Sequence, residues 1–376
     1  MAKENALRVG IIGPGGMGRH RVREFAQRDD CQIVAYADIS ETPMDLTDKY
    51  VQEGVPSFDA GQVHRYLGEY AFIDMLNKEK LDIACVYTPH SLHAEQCRTA
   101  LRFGAHVAVE KPFANLVGDA IHVAQLAKAR DRHMIIQYQR HFEPIYVTGR
   151  KVLREGIIGE IQEFEVFLAQ NWSGFNWRGD LKFSGGGQPN DSGSHLQDIL
   201  LWMTGLLPKE ITGSTSKLYK DKDGNVIEKQ VEIDSESDIT MENGAKGKLT
   251  ILGNTTIGFE EWIVLKGTEG TLTIKEGKLL LSAKGQDSEI PQDRPEGYPQ
   301  SNIDNLVKLI RGQISTNFVS SINGVRTSWL TNSILEAGRG PEKRNTVSCD
   351  RLLEVEGYSR QYVKDKIAEY EKAGCF

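Results

Sequence analysis

An apolar run, Leu7 to Ile12, passes without a break into Gly13, Pro14, Gly15, Gly16, Met17 and Gly18, and Asp38 stands twenty residues beyond the last of these glycines. Few folds accept that string. Gly13 permits a tight turn from strand to helix, Gly15 lets the backbone approach a pyrophosphate, and Gly18 lets the following helix pack against its strand. The start of that helix, from Gly16 through Met17 to His20, aims free N–H groups and a partial positive charge at phosphates. Asp38 closes a second apolar run, Gln32 to Ala37, where a carboxylate can accept both hydroxyls of an adenosine ribose. It would also repel a 2′-phosphate, and Ile39 and Ser40 offer no cation to receive one. The pattern predicts a site for NAD rather than NADP.

With 376 residues the chain fits about two domains. Its 45 basic and 52 acidic groups leave a net charge of −7 with no basic block, which excludes nucleic acid as a partner. Met1 to Arg8 is polar, and nowhere do eighteen apolar residues run together, so a soluble, cytoplasmic protein with no membrane segment is expected. Five cysteines at 31, 85, 97, 349 and 375 show no C-x-x-C or C-x-x-H spacing. Reduced thiols and no metal site are expected, and Cys31 and Cys85 read as buried and inert.

Short apolar runs alternate with helix-period segments through the first third. The runs are Leu7 to Ile12, Gln32 to Ala37, Ile83 to Thr88, His106 to Val109 and Met134 to Tyr138; Arg19 to Gln27, Leu92 to Phe103 and Asp119 to Arg130 lie between. That order predicts a doubly wound parallel sheet over residues 1–143. After a helix from Pro144 to Glu155, the strand Glu160 to Ala169 and a helix from Asp191 to Met203, the chain reads as closely spaced strands. These are Lys209 to Tyr219, Val226 to Met241, Gly247 to Leu252, Glu261 to Lys266, Thr271 to Ile274 and Lys278 to Ser282. Such spacing predicts antiparallel pairing within 144–340, with one sheet face against helices and the other free for a dimer contact or a higher homo-oligomer. Helices are expected at Asn302 to Arg311, Asn323 to Ala337 and Asp350 to Lys372. Gly338 to Asn345 reads as a linker to an extension over 341–376, either a surface helix or an arm on a neighbouring subunit.

Two places carry candidate chemistry. Lys111 follows the run His106 to Val109, at the strand end that borders the ligand crevice of a parallel sheet. An ammonium there can bond a reacting hydroxyl and favour its alkoxide character. The other place is Gly185-Gly186-Gly187, followed by Asp191, His195 and Asp198. With Asn190 or Asp191 as helix cap, Asp191 and His195 would share a face, so that the carboxylate could orient the imidazole as a general base. Trp172 and Trp177 lie in a polar loop, where exposed indoles suit the C–H faces of a sugar ring, and Arg178 is a candidate phosphate or amide contact.

Taken together, these pieces resemble the glucose–fructose oxidoreductase and inositol dehydrogenase family, Gfo/Idh/MocA. The matching strings are Gly13 to Gly18 with Asp38, Thr88-Pro89-His90-Ser91-Leu92-His93, Glu110-Lys111-Pro112 and Asp191 to Asp198; Trp177-Arg178 before the glycine run resembles members acting on free sugars and glycosides. The resemblance implies a Rossmann domain followed by an α/β domain with a large, open, mostly antiparallel sheet. It implies proton transfer by Lys111 and His195, with Asp191 holding substrate hydroxyls or His195. Thr88, Pro89, His93, Glu110, Trp177 and Arg178 would lie near the cofactor, and Trp172 near the substrate. The tail beyond Arg339 departs from shorter members.

The reaction expected is hydride transfer between NAD and a secondary ring hydroxyl of a sugar or glycoside, with C3 of a glucose-like ring as the first position. Two alternatives share these residues: an NAD-retaining glycoside hydrolase working by transient C3 oxidation, and a catalytically silent NAD-sensing regulator.

Overall fold

The computed structural model describes residues 5–340 and 344–372. Its first layer consists of β1 (Leu7–Ile12), α1 (Gly18–Ala26), β2 (Cys31–Asp38), α2 (Glu41–Gly54), β3 (His64–Leu67), α3 (Ala71–Glu79), β4 (Ile83–Val86), α4 (His93–Arg102), β5 (His106–Val109), α5 (Val117–Ala129) and β6 (Met134–Ile136). The six strands are parallel, in the order β3-β2-β1-β4-β5-β6. Helices cover both sides, so β4 is buried along its whole length and its run of Ile, Ala, Cys and Val has no polar alternation.

β3 and the helices flanking it carry no expectation above. Three of its four residues are exposed at the sheet edge, and neither an apolar run nor an alternation marks it. Its position nonetheless completes the doubly wound order and places Gly68 at the cleft.

The second layer begins with α6 (Pro144–Arg154), β7 (Ile161–Gln170), the single turn α7 (Leu181–Ser184) and α8 (Gly193–Thr204). Strands β8 (Pro208–Ser216), β9 (Leu218–Lys220), β10 (Val226–Glu228), β11 (Asp234–Met241), β12 (Lys246–Leu252), β13 (Phe259–Gly267), β14 (Gly270–Lys275), β15 (Lys278–Ala283) and β16 (Gln286–Glu289) follow. The chain then forms α9 (Asn302–Ile310), α10 (Ser321–Arg339), β17 (Asn345–Ser348), α11 (Cys349–Val355) and α12 (Arg360–Lys372). Nine strands make one mostly antiparallel sheet, β16-β15-β14-β13-β7-β12-β11-β8-β17, in which only β7 and β12 pair in parallel. Val166, Leu168, Leu249, Ile251, Ile263 and Leu265 point to the buried face, and Glu165, Phe167, Lys248, Thr250, Trp262 and Lys266 alternate with them on the other. α10 is the element both layers share: it is buried along most of its length and packs on α5, α8, β6 and β8.

Three expectations are corrected. Val226 to Met241 is not one strand, because β10 pairs with β9 in a separate ribbon while Val231 and Ile233 turn inward against Trp172. Asp350 to Lys372 is two helices, broken where Gly357 takes a φ of +79° that a side chain would resist. The stretch read as a linker ends in β17, which adds to the edge of the chain's own sheet, and residues 341–343 of it lie outside the described set. α12 packs on the same chain, where Gln125 Nε2 donates to Tyr362 Oη at 2.8 Å and Ser321 Oγ lies 2.7 Å from Tyr370 Oη. Among the described residues no helix is long and apolar enough to cross a membrane.

Candidate active site

The carboxyl ends of β1 to β5 meet along one edge of the parallel sheet and open a cleft of about 640 Å³. Gly13, Gly15, Gly16, Met17, Asp38, Thr88, Pro89, Glu110, Lys111, Trp177 and Arg178 all line it. Two glycines of the turn have no room for a side chain. A Cβ on Gly13, whose φ is +78°, would come within 2.8 Å of Thr88 Cγ2, and one on Gly18 would sit 2.5 Å from the Gly13 carbonyl oxygen. This is a backbone cradle of the size and polarity a dinucleotide pyrophosphate needs, so the residues present fit NAD. At its far end Asp38 Oδ1 accepts a hydrogen bond from Ser40 N at 3.1 Å, and burial raises the carboxyl above its ordinary value against the pull of that bond.

The other end of the cleft is a knot of charge. Lys111 Nζ donates to Asp191 Oδ1 at 2.7 Å and to the Asp191 main-chain oxygen at 3.1 Å. Asp191 Oδ2 accepts from Trp172 Nε1 and from Arg178 Nε, each at 3.1 Å, and buried His90 places Nε2 3.8 Å from Oδ1. Burial alone would raise the Asp191 carboxyl; Lys111 above all, and Arg178 with it, outweigh it and hold the group well below the carboxylate range. The same burial, aided by Lys111, lowers His90 to about 3 although Asp191 opposes it. His90 is therefore neutral, its ring edge-on to Trp177 at 4.7 Å and its Nδ1 3.1 Å from the Ser184 oxygen.

His195 differs from expectation. Helix α8 starts at Gly193, so Asp191 belongs to the preceding turn and shares no helical face with His195. The carboxylate serves Lys111 and Arg178 instead, and the buried Nδ1 of His195 has no hydrogen-bond partner. Burial first, then the charges of Lys111 and Arg140, push this imidazole well below 6.5, so the free protein holds it neutral. Asp198 turns the other way, accepting from His141 Nε2 at 2.6 Å behind the helix.

Two further assignments change. Trp172 is 4% exposed and packed against Val231 and Ile233, so its indole is a donor to Asp191 rather than an exposed sugar platform. His93 does not line the cleft; it lies buried beneath it, with Nδ1 2.8 Å from the Pro112 oxygen and Nε2 2.9 Å from the Thr88 oxygen, tying two cofactor loops together. Sequence reasoning passed over His90, although the string Thr88 to His93 contains it, and Arg21, whose Nε donates to Glu110 Oε1 at 3.2 Å. It also passed over Glu69 and Tyr70, cleft residues that follow the unread strand β3. Among the described residues no group of three or more His, Cys, Asp or Glu is placed to hold a metal ion.

Comparison with known proteins follows the same division. Residues 7–138 match the model of an oxidoreductase family with an NAD-binding Rossmann fold, and residues 146–273 match the GFO/IDH/MocA C-terminal domain. The rhizopine catabolism protein MocA of Rhizobium meliloti is 26% identical over 56% of this chain, a match that spans 61% of MocA. Levoglucosan dehydrogenase of Pseudarthrobacter phenanthrenivorans is 24% identical over 71% of this chain and 73% of its own. A solved levoglucosan dehydrogenase in complex with NADH and L-sorbose shares the fold with a TM-score of 0.74 at 19% identity, covering 92% of this chain and 99% of that one. With both halves matched in order and the glycine cradle in place, this chain belongs to the Gfo/Idh/MocA family of NAD-binding oxidoreductases.

Proposed function

We propose that the protein is an NAD-dependent dehydrogenase that oxidises a secondary ring hydroxyl of a sugar or glycoside, with C3 of a glucose-like ring as the first position to test. One observation carries this reading: Lys111 stands at the cleft with two of its three ammonium hydrogens on Asp191, which leaves one for a substrate oxygen. The sugar dehydrogenase among the relatives supports the substrate class.

Residues Gly13 to Gly18, Asp38, Thr88, Pro89, Glu110, Trp177 and Arg178 would hold the dinucleotide. NAD supplies the hydride acceptor when bound. Lys111 would hold the substrate oxygen and stabilise the negative charge that grows on it, while neutral His195 takes the hydroxyl proton. Asp191 keeps Lys111 aimed. Trp172 and Arg178 act through Asp191, which makes them positioning residues in this scheme.

The proposal extends to organisation. Residues 1–143 would form the cofactor domain, 144–340 the substrate domain and 341–376 an extension, in a reducing, cytoplasmic setting supported by the buried free thiols of Cys31, Cys85, Cys97 and Cys349. A homodimer would form on the open sheet face, where Phe167 and Trp262 stack at 5.3 Å among exposed charges.

The test is NADH absorbance with purified protein, NAD and a panel of inositols, free hexoses, phosphorylated and nucleotide sugars, and O- and C-glycosides, with products identified in parallel. NADH formed with one class, and a ketone at one ring carbon, is the expected result. Aglycone release without NADH would replace the dehydrogenase with a redox-assisted hydrolase, and silence across the panel would remove the sugar assignment.

A further inference from the structure

The reacting end of the cleft has a second wall, built where α8 meets the large sheet. Ser192, just ahead of the helix that carries His195, bonds Gln170 at the end of β7. Gln170 pairs with Phe259 across the sheet, and Glu261, two residues along β13, stands on the same inner face as Ile263. From the other side comes the single turn Gln139–Phe142, which carries Arg140. Tyr138, at the start of that turn, sets its ring edge-on to His195 at 6.2 Å. After burial and Lys111, the charge of Arg140 is the next to hold His195 neutral, so the guanidinium stands close to the imidazole.

Arg140 is 9% exposed, and the two arms of its fork are used unequally. Nη2 donates to Glu261 Oε2, while Glu261 Oε1 accepts from Tyr146 Oη at 3.1 Å. Nη1 is buried and has no hydrogen-bond partner among the described residues. A charged donor removed from water and left without an acceptor is costly, so the wall fits best with an acceptor that arrives with a ligand. Glu261 remains about a fifth exposed and keeps lone pairs open to the same space. Glu143 adds a second carboxyl beside the guanidinium, raised above its ordinary value first by burial and further by Glu261.

We infer that Arg140 and Glu261 recognise the substrate together, Arg140 Nη1 donating to one ring hydroxyl and Glu261 accepting from its neighbour, which selects a neutral ring with vicinal hydroxyls over one that turns an acid to this wall. A hydroxyl pair both accepts and donates, and a guanidinium locked to a carboxylate offers the matching donor and acceptor side by side. A carboxylate in the same place would meet Glu261 and Glu143. The inference rests on the dehydrogenase reading, which puts the reacting ring beside Lys111 and His195.

Titration of the NADH-loaded protein with D-glucose, levoglucosan and D-glucuronate, none of which that complex can oxidise, reads recognition apart from turnover; steady-state rates with NAD read turnover. A neutral ring should bind, and glucuronate should bind at least about tenfold more weakly. Arg140→Lys keeps a charge for Glu261 but has no second arm, so KM for the neutral ring should rise about tenfold with kcat within about threefold. Glu261→Gln keeps an acceptor for Tyr146 and removes the repulsion, so glucuronate should gain about tenfold relative to the neutral ring, a gain that loosened packing would not give. A parent that prefers glucuronate, an unchanged KM in Arg140→Lys, no gain for glucuronate in Glu261→Gln, or no binding of any of the three would overturn the pair. The two readings fail separately: the expected binding pattern without NADH formation would sustain the pair and remove the dehydrogenase, whereas turnover indifferent to both variants would remove the pair alone.

Discussion

The two ends of the nucleotide cleft each present one aspartate, and the two are in opposite electrical states. Among the described residues the Asp38 carboxylate accepts from backbone N–H groups, and burial raises it. Asp191 faces Lys111, Arg178 and His90 and is held far below the ordinary range. The difference lies in what each carboxylate faces: Asp38 keeps acceptor capacity free, whereas Asp191 accepts from Lys111, Arg178 and Trp172 and not from His195 Nδ1.

Lys111→Met should break the catalytic end most severely. Turnover should fall by about a thousandfold, since both hydroxyl binding and alkoxide stabilisation are lost, with NAD affinity within a few-fold of the parent. Steady-state rates and a fluorescence titration of NAD check the two halves; retained turnover would remove Lys111 from the chemistry.

His195→Ala should cost at least about a hundredfold in turnover. Its pH profile sharpens the point. Because the ring is held well below 6.5 in the folded protein, it is already neutral at pH 6.5, and kcat/KM of the parent should show no inflection there. An inflection at that value would mean that the imidazole is solvated in the working enzyme.

Exchanging each aspartate for its amide tests the comparison itself. Asp191→Asn leaves two cations facing one another with no carboxylate and should lose about 3 kcal/mol on urea unfolding, whereas Asp38→Asn should stay within about 0.5 kcal/mol. The sign with pH follows from a folded value below the unfolded 3.8. The contribution of Asp191 is fully present above that pH and is lost as acid titrates the folded group, so the gap between parent and Asp191→Asn should narrow below about pH 4. Asp38→Asn should instead weaken NAD by about tenfold and narrow the preference over NADP. Equal stability losses for the two variants would erase the contrast.

The smallest effect belongs to Trp172→Phe. It removes one donor to Asp191 while keeping most of the packing, and should cost about 1 kcal/mol in stability and less than about threefold in turnover. A large loss confined to KM would return Trp172 to the substrate.

Legibility followed locality. The glycine turn, Asp38 and Lys111 could be read because each is set by its immediate neighbours: a strand end, a turn that excludes Cβ atoms, and a helix start. β3 escaped because an exposed edge strand needs no apolar face, and the break between β10 and β11 escaped because Val231 and Ile233 look like strand residues until Trp172 packs on them. The pairing of Asp191 with His195 was drawn from helical spacing, and failed because the helix begins two residues later than the cap residues suggested.

From sequence alone came the parallel dinucleotide layer, the strand-rich second layer, the preference for NAD and the identity of the charged residues, since chain geometry and side-chain chemistry act over a few residues. Tertiary structure alone decided which of those charges meet. Lys111 and Asp191 lie eighty positions apart, and their contact arises where the second layer folds back over the strand ends of the first, while Trp172 reaches Asp191 from nineteen positions away within the second layer. Burial there, which no spacing encodes, removes water from the group and makes a few ångströms of charge separation set the protonation of Asp191 and His90.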